Sequence, residues 1–147
     1  MKAFVCGVCG FIPVDGSVPE KCPVCGASQK AFVEKTDAYK TSKDVATYGE
    51  SEKKHIPAIT VIRKCGLIPD GCIDVQVKVG EITHPMLPEH HITRIDFYID
   101  GKYISRIYLT PGTMNPAAGL HLKVKSGKFT AMENCNLHGS WMNEVEL

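Results

Sequence analysis

The chain has 147 residues, 17 of them basic and 16 acidic, for a formal net charge of +1. That balance leaves no general basic footprint for nucleic acid, and no apolar run is long enough to cross a bilayer. With no charged-then-apolar leader at its start, the chain is expected to be cytoplasmic, with neither a nucleic-acid nor a membrane partner. Its seven cysteines then point to metal ligation or redox chemistry rather than disulfides.

Residues 1–36 contain two C-x2-C pairs, Cys6/Cys9 and Cys22/Cys25, each followed by glycine. So short a segment cannot bury a core of its own, and a metal held by four thiolates would supply the missing folding energy. Residues 37–51 are polar, rich in Lys, Thr and Ser, and without apolar periodicity, which reads as a linker. From residue 52 to 147 the pattern is β. Ile73, Val75, Val77 and Val79 alternate with polar residues, as do Ile95, Phe97 and Ile99 with Arg94, Asp96 and Tyr98. Asp100-Gly101 sits where a hairpin should turn. Leu120, Leu122 and Val124 alternate again, and Ser126-Gly127 marks another turn. About seven short strands of this kind predict an all-β chain, in which a small metal-binding domain precedes an immunoglobulin-like antiparallel β-sandwich.

Histidine is concentrated in HPMLPEHHI, residues 84–92, where Pro85 and Pro88 preclude a helix. The imidazoles there must converge by the path of a loop. Near the C-terminus, Cys135 and His138 form a C-x2-H closed by Gly139, and His55 stands before Pro57 at the start of a β-like run. His55, His84, His90, Cys135 and His138 make five nitrogen or sulfur donors. Structural zinc closes its shell with four, so a fifth donor argues for a metal that accepts a square pyramid and keeps a sixth position open, as iron does.

The segments EKKHIPAI, HPMLPEHHI and CNLHGSW, in that order, resemble the superoxide reductases, the desulfoferrodoxin and neelaredoxin group, from about Glu52 to the C-terminus. The resemblance implies a catalytic iron with His55, His84, His90 and His138 as equatorial ligands and Cys135 as the axial thiolate. It also implies one-electron reduction of superoxide to hydrogen peroxide, re-reduction by a donor such as reduced rubredoxin, and a homodimer. Two other readings use the same residues: an electron-transfer metalloprotein without turnover, and a superoxide dismutase on the same scaffold. CGVCGF and PEKCPVCGA, separated by twelve residues, resemble the rubredoxin-type module of rubrerythrins. They differ from the desulforedoxin-like domain of the best-known two-iron members, whose second cysteine pair is adjacent in sequence. The resemblance implies iron on Cys6, Cys9, Cys22 and Cys25, although zinc uses the same ligands.

The family usually carries Glu-Lys directly before the first ligand histidine. Here Lys54 occupies the lysine position and is expected to draw in superoxide and help protonate the product. Lys53 stands where the glutamate should be, and Glu52 is one residue further back. In an extended loop that shift turns Glu52, the candidate cap for oxidised iron, away from the metal. His91 reads as exposed or as a donor behind the metal ligands, and His121 as a solvated histidine on the polar face of LHLKVK. Cys65 and Cys72 flank GLIPDG, which looks like an insertion relative to the family pattern. A three-residue Pro69-Asp70-Gly71 turn would set Cys72 opposite Ile68, so these cysteines read as free thiols rather than a disulfide. A metal contact is the least expected of their uses.

Overall fold

The computed structural model describes residues 1–43 and 49–147. Strands β1 (Ala3–Cys6) and β2 (Phe32–Lys35) form an antiparallel pair at the base of the N-terminal lobe, with Cys6 opposite Phe32. Each C-x2-C turn closes through a glycine at positive φ, Gly10 at 74° and Gly26 at 75°. Their N–H groups donate to the carbonyls of Cys6 and Cys22 at 2.8 and 2.9 Å, which folds each cysteine pair back on itself.

The segment expected as a linker holds more structure than its polarity suggests. Ala38 and Tyr39 are buried, and β3 (Lys40–Thr41) runs parallel to the last strand of the chain. Two apolar residues are too few to register as periodicity, yet they suffice to seat a strand. Residues 44–48 of that segment lie outside the described residues. A helix, α1 (Glu50–His55), follows and crosses the boundary placed between residues 51 and 52. The extended loop expected around Glu52 is therefore a helix.

The remaining strands are β4 (Pro57–Ile62), β5 (Ile73–Val79), β6 (Ile92–Ile99), β7 (Lys102–Tyr108), β8 (Ala117–Leu122), β9 (Lys128–Cys135) and β10 (Gly139–Glu146). They form two sheets, one ordered β3-β10-β9-β6-β7 and the other β4-β5-β8. All pairings except β3 with β10 are antiparallel. Asp100 and Gly101, at φ 49° and 77°, make the expected two-residue turn between β6 and β7. The alternation read from β5 holds: Ile73, Val75, Val77 and Val79 are buried and Asp74, Gln76 and Lys78 are not. They pack against Ile95, Phe97, Phe129 and Ala131 of the facing sheet in one apolar core. Strand β9 is buried over most of its length, because its second face lies under the N-terminal lobe: Met132 joins the cluster of Val5, Phe11 and Ile12.

Candidate metal centres

Three pieces of chain bring the histidine site together. His55 is the last residue of α1. His84 and His90 lie on the loop between β5 and β6, pinched by paired backbone bonds between Leu87 and His90. Cys135 ends β9, and His138 sits in the turn to β10, closed by Gly139 at φ 77°. The helix end is locked to β5 by Gly80 at φ 81°. A Cβ there would collide with the carbonyl oxygens of Ile82, Lys54 and Lys53, so only glycine lets the helix approach.

The four imidazoles stand as a square. Successive rings, in the order His55, His84, His90, His138 and back to His55, have centroids 4.6–5.0 Å apart and are steeply inclined to one another, at 69–81°. The diagonal from His55 to His90 is 6.5 Å. A tetrahedron would give six equal separations; four short edges and a longer diagonal are those of a square. Cys135 Sγ lies 3.5 Å from His138 Nδ1, and all five donor atoms fall within 4.8 Å of one another.

Whether these residues fit a cation follows from their hydrogen atoms. His55 donates its Nδ1–H to Ser51 O at 2.6 Å, and His84 its Nδ1–H to Pro85 O at 2.7 Å. Each therefore carries a bare lone pair on Nε2, and these two atoms face each other at 3.2 Å. No proton is left to bridge them. Nε2 of His90 is buried with no hydrogen-bond partner at all. Burial pushes His84 down to about 4 and lowers His55 and His90 as well, with the neighbouring imidazoles adding to the effect. At neutral pH His55, His84 and His90 therefore converge as unprotonated imidazoles, an arrangement that a cation satisfies.

In the N-terminal lobe Cys6, Cys9, Cys22 and Cys25 also converge within 4.8 Å. Cys6 and Cys25 sulfurs are 3.7 Å apart, and those of Cys9 and Cys22 are 3.5 Å apart. Burial pushes the Cys9 thiol up to about 12. At Cys6 burial acts in the same direction, but the N–H groups of Cys9 and Val8 outweigh it and hold the thiol at about 7.

Glu52 and Lys54 both find partners along α1. Glu52 turns back along α1, and its Oε2 accepts the Gly49 N–H at 2.9 Å, so it caps the helix rather than joining the imidazoles. Lys54 pairs with Glu50 at 2.7 Å on the helix surface, though its charge reaches His90 and contributes to lowering that imidazole. His91 ties the two ligand-bearing loops together: its N–H donates to Asn136 Oδ1 and its Nδ1 meets Leu87 O at 3.1 Å. His121 is not merely solvated, since its Nδ1 lies 2.7 Å from Asp74 Oδ1 and it belongs to a third cluster with Cys65 and Cys72. Pro69-Asp70-Gly71 does turn, with Asp70 at φ 62° and Gly71 at φ 87°, but Ile68 and Cys72 do not face each other across a hairpin, because β4 ends at Ile62 and β5 begins at Ile73. Two neighbours of the histidine site were given no role by the sequence, although Trp141 closes the CNLHGSW segment. Trp141 stacks on His55 at 5.0 Å. Glu133, two residues before Cys135 on β9, is fully buried with both carboxylate oxygens unpartnered. Burial keeps its carboxyl protonated well above the usual range. The only sign of it in sequence is the Glu-x-Cys spacing on a strand.

Residues 47–144 match the family model described as desulfoferrodoxin, and residues 4–33 match the rubredoxin-like domain of rubrerythrin. The chain belongs to the desulfoferrodoxin family. A superoxide reductase of Pyrococcus abyssi is 37% identical over 71% of this chain and 97% of its own length. A desulfoferrodoxin of Desulfarculus baarsii is 32% identical over 98% of this chain and 96% of its own. Among solved structures, the superoxide reductase (neelaredoxin) from Ignicoccus hospitalis aligns with a TM-score of 0.59 at 30% identity, covering 74% of this chain and 93% of that one. Desulfoferrodoxin and rubredoxin-like units imply iron centres, and both donor sets of this desulfoferrodoxin-family chain fit them.

Proposed function

We propose that this protein is a superoxide reductase, in which His55, His84, His90, His138 and Cys135 would together hold the iron. The observation that carries the reading is the square of imidazoles, in which the facing Nε2 atoms of His55 and His84 have no proton between them and Nε2 of His90 has no hydrogen-bond partner among the described residues. When bound there, ferrous iron supplies the electron that superoxide lacks and one open position at which to receive it.

The protein's own residues set how that reaction proceeds. The carbonyls of Ser51 and Pro85 fix the tautomers of His55 and His84, so that Nε2 is the donating atom in each. A set of imidazoles with the one thiolate of Cys135 would leave most of an iron's charge uncompensated, and the thiolate would add electron density to it. The N–H groups of Leu137 and His138 point at that sulfur and offset the effect of burial, which raises its thiol. Lys54 is about a third exposed. It attracts the anion, and its Nζ–H can pass a proton outward while water restores it. Two protons and one electron convert each superoxide to hydrogen peroxide. His138 is exposed, so the site opens to water, a setting that favours release of peroxide over further oxygen chemistry.

The four thiolates of the N-terminal lobe are proposed to hold the second iron, as an electron relay or store. A reduced rubredoxin or a similar carrier is the proposed external donor. None of the seven cysteines is joined in a disulfide, which suits a reducing cytoplasm. Among the described residues no helix is long and apolar enough to cross a membrane. A homodimer, the commonest symmetric assembly, is the proposed oligomer. The test is anaerobic consumption of superoxide with peroxide and dioxygen measured together. Peroxide without enzymatic dioxygen is expected. Dioxygen in dismutase proportion, or no consumption at all, overturns the reading.

A further inference from the structure

A third group of metal-type donors lies at the far edge of the three-stranded sheet, where no family assignment places a function. We propose that Cys65, Cys72, Asp74 and His121 form a third metal site, of tetrahedral S2NO type, that takes a zinc-class divalent cation. Their ligand atoms lie within 4.8 Å of one another, the same limit met by the two sites described above. The proposal is independent of the superoxide chemistry.

The fold builds the site from three segments. Strands β5 and β8 pair so that Asp74 stands directly opposite His121, which places both side chains on the same face of the sheet. Cys72 precedes Asp74 by two residues and therefore shares that face. Cys65 comes from the loop that follows β4. Distances from His121 Nδ1 are 2.7 Å to Asp74 Oδ1, 3.3 Å to Cys65 Sγ and 3.7 Å to Cys72 Sγ. Cys72 Sγ is in turn 3.4 Å from Asp74 Oδ1. The ring nitrogen can offer at most one proton and Asp74 accepts only, so without an ion the cluster is held by the weak S–H donors of the two cysteines. A cation in their midst serves all four.

The turn at Cys65 supplies a second, independent observation. Its sulfur receives the backbone N–H groups of the second and third residues after it, Leu67 at 3.4 Å and Ile68 at 3.3 Å. The same pattern holds at Cys6 with Val8 and Cys9, at Cys22 with Val24 and Cys25, and at Cys135 with Leu137 and His138. Those three cysteines open the C-x2-C and C-x2-H turns of the iron sites. Cys65-Gly-Leu-Ile is thus folded as a thiolate-ligand turn, with Ile68 where a second ligand would stand and Cys72 supplying it from further along. A groove of about 220 Å³ lined by Ile68, Gly71, Cys72 and His121 opens beside the cluster and gives the ion a way in.

Binding releases the two thiol protons, and the proton that His121 Nδ1 shares with Asp74 must leave that nitrogen, to Nε2 from the neutral ring or to solvent from the imidazolium, before Nδ1 can coordinate; Asp74 gives up none. The bound ion would fasten the Cys65–Cys72 loop to β8. The test is metal analysis of the full iron-loaded chain after incubation with Zn²⁺ and desalting, together with thiol mass spectrometry under anaerobic conditions. One zinc beyond the two iron centres is expected. Cys65→Ser and His121→Asn should each lose that equivalent, while the visible spectra of both iron sites stay unchanged. Both changes fall at positions that are not buried, and Co²⁺ in place of Zn²⁺ should give a sulfur-to-metal band that disappears in either variant. Wild-type protein with no third equivalent, a third equivalent that survives both substitutions, or a Cys65–Cys72 disulfide in the anaerobic protein overturns the proposal.

Discussion

The N-terminal lobe and the β-sandwich each carry a metal-type donor set, but they bury their side chains by different means. In the sandwich, Val75, Val77, Ile95, Phe97 and Phe129 close a core between two sheets without help from the lobe. In the lobe, Val5, Phe11 and Ile12 share one cluster with Tyr98 of β6 and Met132 of β9. The lobe therefore has half a core, and the sandwich supplies the other half. Polar contacts follow the same division of labour. Tyr98 Oη donates to Ile12 O at 2.8 Å, Arg94 to Gly10 O at 3.1 Å and Arg106 to Cys9 O at 2.7 Å. The difference teaches that the sandwich folds on apolar burial, whereas the lobe depends on its metal and on its docking.

The sharpest way to break that comparison is to remove the lobe's metal. Cys22→Ser takes away one of four thiolates, and a structural four-thiolate site contributes on the order of 10 kcal/mol to folding. Limited proteolysis should then cut within residues 1–36 while the sandwich resists, with its unfolding midpoint little changed. A sandwich that melts together with the lobe would show that the two halves form one cooperative unit.

Docking can be tested next through Arg106. Its guanidinium grips both oxygens of Asp96, at 2.5 and 2.7 Å, and both side chains are almost fully buried, 2% and 3% exposed. Arg106→Ala leaves Asp96 buried with only Arg94 near it, at 4.0 Å. Breaking a pair of this kind costs about 3–5 kcal/mol, and urea unfolding of the metal-loaded protein should show it. Protease sensitivity of the lobe should rise at the same time, because Cys9 O loses its donor.

These contacts also mark where sequence reading stopped. The alternation in β6 separated Ile95, Phe97 and Ile99 from Arg94, Asp96 and Tyr98 correctly, but it did not say what the second face meets. That face is the docking face, because period-two patterning tells which side chains share a side but not what covers that side. The five donors of the histidine site were legible because three compact motifs carry them. The third cluster was not. Cys65, Cys72, Asp74 and His121 are spread over 57 positions, and only the pairing of β5 with β8 brings His121 to Asp74. Glu133 stayed hidden for a related reason: burial, not a motif, sets its character.

On the sandwich side, Cys135→Ser should lower the second-order rate with superoxide by about 100-fold or more, since the axial donor is lost and serine is a poor replacement. Cys65→Ser should leave that rate within about twofold, and the four-thiolate absorption should persist in both variants. Equal losses in the two would show that Cys135 has no special place at the reacting metal.

The smallest expected effects separate steering from capping on α1. Lys54 and Glu52 lie two residues apart, yet their contacts differ. Lys54 holds Glu50 at the surface and its charge reaches His90, whereas Glu52 accepts the Gly49 N–H at the start of the helix. Lys54→Ala should slow the reaction with superoxide a few-fold at low ionic strength. That deficit should vanish as salt shortens the screening length from about 10 Å at 0.1 M to about 3 Å at 1 M. Glu50→Ala should act in the opposite direction, because it frees the ammonium from its partner. Glu52→Ala should leave the rate and its salt dependence unchanged while costing about 1 kcal/mol of stability through the lost cap. Rapid anaerobic mixing across ionic strength, paired with urea unfolding of each variant, resolves the two roles. A Glu52 variant that is slow but fully stable would show that this carboxylate leaves its cap and reaches the metal during turnover.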